Sequence, residues 1–102
     1  MIAYKLLNKR ADGSLGPLFI NRRQRIPLGI WLDAEDHKTF GYAHRPGWHS
    51  TRSVVAPHLS KKGRVWCRIE IEDYQEIKRP LTQGGLWYLS NKMRVIEEVL
   101  DE

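Results

Sequence analysis

Arg64-Val65-Trp66-Cys67-Arg68-Ile69-Glu70-Ile71-Glu72 alternates without a break: Val65, Cys67, Ile69 and Ile71 fall on one side, and Arg64, Trp66, Arg68, Glu70 and Glu72 on the other. A period of two with apolar, largely β-branched residues on one side is the pattern of a half-buried β-strand, so this stretch reads as a strand with one core face and one wet face. The wet face sets one indole between two guanidinium groups. That combination suits phosphate plus base, because an aromatic ring can stack on a base while arginine supplies charge and a cation–π contact. The competing reading covers Trp66 with another segment and lets the arginines reach past it to solvent.

Working outward, Ile2 to Asn8 predicts a first strand, with Tyr4 and Leu6 on one face and Lys5 and Leu7 on the other. Asp12-Gly13 between two apolar runs is a hairpin signal, and Leu15 to Ile20 is the expected return strand, with Pro17 at an edge or bulge because proline cannot donate to a ladder. Arg25 to Leu32 reads as an extended approach to a short strand with Trp31 as a core anchor. Thr39 to His44 reads as a further strand broken by Arg45-Pro46-Gly47. Ser50, Thr51 and Ser53 are candidate caps for a short helix carrying Val54, Val55, His58 and Leu59 and stopped at Gly63. After a turn-rich segment, Lys78 to Gly85, the stretches Leu86 to Leu89 and Lys92 to Leu100 close the chain as strands, the last with helix as an alternative. The expected fold is a single α+β domain over residues 1–102, with a small antiparallel or mixed sheet and one short helix.

The chain has 102 residues, 41% hydrophobic and 28% charged, which allows one domain with one modest core. Its single cysteine excludes an internal disulfide. The absence of a signal-like start and of a long apolar run points to a reducing, cytoplasmic setting and no membrane partner. Seventeen Lys and Arg against twelve Asp and Glu leave a net charge of +5, concentrated in Lys9-Arg10, Arg22-Arg23-x-Arg25, Arg45, Arg52 and Lys61-Lys62-x-Arg64. If those runs converge in the fold they form a face that attracts polyanions; otherwise they are a solvated surface.

The densest chemistry lies between Gly41 and Cys67, which holds three of the four histidines and the only cysteine. His44, His49, His58 and Cys67 are of the types zinc accepts, but their separations include no close pair to seed a site, and strand parity places Cys67 inward as a small hydrophobe, so no metal is expected. A buried thiol is equally unsuited to nucleophilic catalysis. His49, in a loop expected to feed a helix N-terminus, is a candidate ligand contact. The candidate ligand-binding set is therefore Arg45, Trp48, His49 and Arg52 from the loop and Arg64, Trp66 and Arg68 from the strand.

Several phrases carry a resemblance: Tyr4-Lys5-Leu6-Leu7, Gly29-Ile30-Trp31-Leu32-Asp33-Ala34-Glu35, Pro46-Gly47-Trp48-His49, Val65 to Ile71, and Lys92-Met93-Arg94-Val95-Ile96. Together they resemble a group of small proteins of bacteriophages and other mobile elements, and that group looks like a reduced relative of the ADP-ribosyltransferase fold. The resemblance implies two small sheets around a dinucleotide cleft, with His49 and Gln83 in the pocket. Gln83 stands where the active enzymes place a glutamate, and an amide cannot carry the charge that stabilises an oxocarbenium-like centre. The expected function is accordingly a non-enzymatic binding protein that holds a nucleotide, a nucleic acid or an acidic protein surface, without a cofactor. The alternatives are a divergent transferase using NAD and an inhibitor of a host defence system. Oligomeric state is left open.

Overall fold

A computed structural model describes residues 1–17, 24–34, 47–54 and 62–99. They form one six-stranded sheet from β1 (Ile2–Lys9), β2 (Leu15–Gly16), β3 (Trp31–Asp33), β4 (Trp48–Thr51), β5 (Arg64–Lys78) and β6 (Leu86–Glu98). All pairings between these strands are antiparallel. The ladders close on themselves: β1 pairs β5, β5 pairs β6, β6 pairs β4, and β4 returns to β1 at Tyr4↔Thr51. The result is a small barrel-like ring, with β2 and β3 continuing its edges.

The expected α+β class is corrected here. Among the described residues there is no α-helix, and the only helical element is a 3-10 turn, Leu81–Gln83. Ser50 and Thr51, read as helix caps, are strand residues paired with Tyr88 and Trp87. Short hydroxyl side chains suit a cap and a half-buried strand equally well, and the neighbouring β6 ladder decides between them. The two-sheet cleft implied by the ADP-ribosyltransferase resemblance is corrected on the same ground, since these strands form one continuous sheet. The strand expected over residues 39–44 and the body of the expected helix over 55–61 lie outside the described residues. No helix among the described residues is long and apolar enough to cross a membrane.

The inner side of the ring collects Ala3 and Leu7 of β1, Trp48 of β4, Cys67, Ile69 and Ile71 of β5, and Tyr88, Met93 and Val95 of β6, closed off by Leu15 and Ile26. Each of the larger aliphatic side chains taken out of water here contributes about 1.5–3 kcal/mol, which holds the sheet together. Trp31, expected in this core, is instead 36% exposed, and Arg94 stacks over its ring at 5.0 Å. The short β3 turns Leu32 inward and thereby turns Trp31 outward.

β5 runs well past the alternating stretch, and a kink interrupts it there. On β6 Trp87, Tyr88 and Ser90 are buried, then Met93 and Val95, and the odd step from Ser90 to Met93 breaks the period of two. β5 breaks at the matching place, where Asp73 adopts φ +52° and accepts a 2.6 Å hydrogen bond from Asn91 Nδ2. Asp and Asn tolerate this left-handed region better than most residues. Asn91 and Lys92 therefore both face solvent on β6, opposite a stretch of β5 that is exposed from Glu72 to Glu76, and the pairing keeps its register through the kink. Entry into β4 needs glycine: Gly47 has φ +132°, and a Cβ there would lie 2.7 Å from the Leu89 side chain and 3.2 Å from the Ser90 carbonyl.

Candidate functional site

The basic runs of the sequence meet at one end of the ring. Asn8 pairs with Arg64, and Lys9 N–H donates to the Gly63 carbonyl at 2.9 Å, which sets Lys9-Arg10 beside Lys62-Gly63-Arg64. The turn after β1 brings in the third run. Arg10 lies across Gly16, donating to the carbonyls of Leu15 at 2.9 Å and Gln24 at 2.8 Å, while Ile26 N–H donates back to Leu15 at 2.9 Å. Arg25 next to it pairs with Asp12 at 3.1 Å. The Ser14 backbone and hydroxyl also donate to Asp12, and these hydrogen bonds together with Arg25 hold its carboxyl down at about 2. Among the described residues, Lys9, Arg10, Arg25, Lys62 and Arg64 thus share one end of the sheet with the carboxylates of Asp12 and Glu98, the latter bound to Lys9 at 2.7 Å.

Beside these groups runs a groove of about 320 Å³ with a floor of Leu15, Ile26, Pro27 and Leu28 and charged rims at Arg25 and Glu98. An apolar floor next to fixed cations is suited to a ligand with a flat, poorly hydrated part and a negatively charged part.

The residues singled out from the sequence are mostly dispersed. Arg45 lies outside the described residues. Trp48 is buried at 8% exposure in the core, its Nε1 donating to the Leu32 carbonyl at 3.3 Å. His49 is half-buried on β4, and its main-chain carbonyl accepts a 2.6 Å bond from Lys5 Nζ. Arg52 is exposed and donates from Nε to the Tyr88 hydroxyl at 3.4 Å. Gln83 sits in the 3-10 turn at the β5–β6 connection, its carbonyl accepting from Trp87 Nε1 at 2.6 Å. Arg64, Trp66 and Arg68 do share one face of β5, but Trp66 is only 5% exposed and Arg68 is bound to Glu97. The stacking platform expected at Trp66 is corrected accordingly: the indole is covered, and its buried Nε1 has no hydrogen-bond partner. Of the candidate set, only Arg64 belongs to the basic end.

Lys5 escaped notice as a functional candidate, although parity already set it on the same face as Leu7. It stands opposite Cys67 on the inward side of β1, at the seam where β1 and β4 touch through a single residue pair. Its ammonium takes the place of a ladder donor, binding the His49 carbonyl and lying 6.0 Å from the Trp48 ring centroid. Burial pushes its pKa down from 10.5 to about 8, with the Cys67 thiol pulling weakly the other way.

Cys67 is fully buried, and burial with the nearby Glu98 carboxylate pushes its thiol up to about 12. A maleimide or disulfide reagent is expected to label the native protein at least about a hundredfold more slowly than the denatured chain, since only the thiolate reacts and the folded state hides it. Comparable rates in both states would show that the inward face of β5 opens to solvent. Among the described residues no group of three or more His, Cys, Asp or Glu is placed to hold a metal ion.

Comparison with protein families, with curated proteins and with solved structures returns no match to this chain.

Proposed function

We propose that the protein is a non-enzymatic binding protein for an anionic polymer, with single-stranded nucleic acid as the partner, and that the contact is made by the basic end rather than by the β5 aromatic face. The observation that carries this reading is the convergence of three sequence-distant basic runs, represented by Lys9-Arg10, Arg25 and Lys62-Gly63-Arg64, beside an apolar groove. Evenly spread surface charge supplies solubility, whereas cations gathered at one end produce a local field that draws a chain of phosphates. The groove floor offers the accompanying base an apolar seat.

A contact with about three phosphates gives a slope of about −2 for a single strand, so log K is expected to fall with log salt concentration on that order. Titration of a labelled oligonucleotide by fluorescence anisotropy measures this. The Arg25→Glu/Lys62→Glu variant is expected to weaken binding about tenfold or more, while Lys78→Glu at the far end of β5 changes it much less. An oligonucleotide that does not bind at low salt would sink the nucleic-acid reading. Salt-sensitive binding to an acidic protein in its place would make that the partner.

A further inference from the structure

The outward face of β5 and β6 is patterned differently from the basic end. In three successive rows β5 presents Arg68, Glu70 and Glu72, and their direct partners on β6 are Glu97, Arg94 and Lys92. Read down the strands, β5 is plus, minus, minus and β6 is minus, plus, plus. Arg68 is bound to Glu97 and Arg94 to Glu70 within the chain. The middle row continues to both sides, to Ile2 on β1 and to Trp31 on β3, which are 47% and 36% exposed. The six charged side chains balance, three of each sign.

We infer that this face pairs with a second copy of the chain. A two-fold axis running along the strands, between β5 and β6 and parallel to the sheet, brings β5 of one copy over β6 of the other. Arg68 then meets the second copy's Glu97, Glu70 its Arg94 and Glu72 its Lys92, while Ile2 covers its Trp31. Each contact occurs twice, as an isologous interface requires. The same operation applied to the basic end sets cation on cation, whereas on this face it sets opposite charges together. Stable interfaces bury about 800 Å² per partner around an apolar centre. Here the centre is charged and the apolar groups flank it, so the association is weak and reversible.

Sedimentation equilibrium tests this without reference to any ligand, which separates it from the nucleic-acid reading. The weight-average mass is expected to rise from 12.0 kDa toward twice that value as concentration approaches about 1 mM, and to fall back on adding salt. Glu70→Arg and Arg94→Glu are each expected to abolish association, because each makes the middle row a single sign. Mixing the two variants restores it, since the positive row of one then faces the negative row of the other. Circular dichroism checks that the single variants fold; if either does not, the exposed pair Glu72→Lys and Lys92→Glu gives the same test one row away. A parent that remains monomeric throughout, or folded single variants that associate as the parent does, or whose mixture fails to associate, would overturn the proposal.

Discussion

Trp66→Ala is expected to lower folding stability by about 3–5 kcal/mol, the range for deleting a large aromatic from a packed site. The side chain is 5% exposed and lies opposite Leu6, itself 4% exposed, on the side of the β1–β5 ladder away from the main core. Its indole N–H is buried without a partner, a defect that costs about 1–3 kcal/mol. Trp66→Phe therefore loses some packing and also removes that defect, and a net change within about 1 kcal/mol is expected. Urea denaturation of both variants measures the contrast. A loss below about 1 kcal/mol for the alanine variant would show the indole to be solvent-facing and would return it to the list of stacking candidates.

Lys5 is expected to govern the alkaline stability profile together with Cys67. The Lys5 ammonium loses its proton near pH 8 in the folded state and near 10.5 in the unfolded one, so between these values the unfolded chain holds the extra proton and stability rises with pH. For Cys67 the sign is opposite. Its thiol ionises near 9.0 when unfolded and near 12 when folded, so stability is full below pH 9 and is lost toward pH 12. Their sum rises from pH 8 to 9, is nearly flat to 10.5, and falls beyond. Lys5→Met keeps the stem and removes the buried charge, so it is expected to stabilise the protein by about 1–3 kcal/mol at pH 7 and to abolish the rise above pH 8. Denaturant midpoints measured across this range check it, and a parent profile that falls from pH 8 to 9 would contradict the placement of Lys5. The seam between β1 and β4, closed by one residue pair and this lysine, then depends more on Thr51 Oγ1, which donates to the Tyr4 carbonyl at 3.2 Å.

The separation of charge gives the molecule two unlike surfaces. At the basic end the carboxylates among the described residues, Asp12 and Glu98, are fewer than the cations. The β5–β6 face is balanced row by row through register. Net charge alone is silent about that division, because two proteins of equal charge can hold it spread or sorted.

What the sequence determined by itself was local. Alternation over residues 64–72 was enough to define β5 and to place Cys67 inward, and Asp12-Gly13 was enough to turn β1 into β2, because both signals act over a few residues and depend on side-chain parity and backbone freedom alone. Parity separated Trp66 from Cys67 but could not say that both sides of the strand would be shielded, since that depends on what a closed sheet brings against each face. The tertiary structure also decided that Ser50 and Thr51 extend a strand, through hydrogen bonding to β6 some forty residues away. It carried β5 on to Lys78 through the Asp73 kink, where the single left-handed residue is held by Asn91 of the neighbouring strand. Convergence of the basic runs and the opposed signs of β5 and β6 belong to the same class. Both are properties of register between distant segments, and register is set by which apolar faces can be buried together rather than by any stretch of sequence read alone.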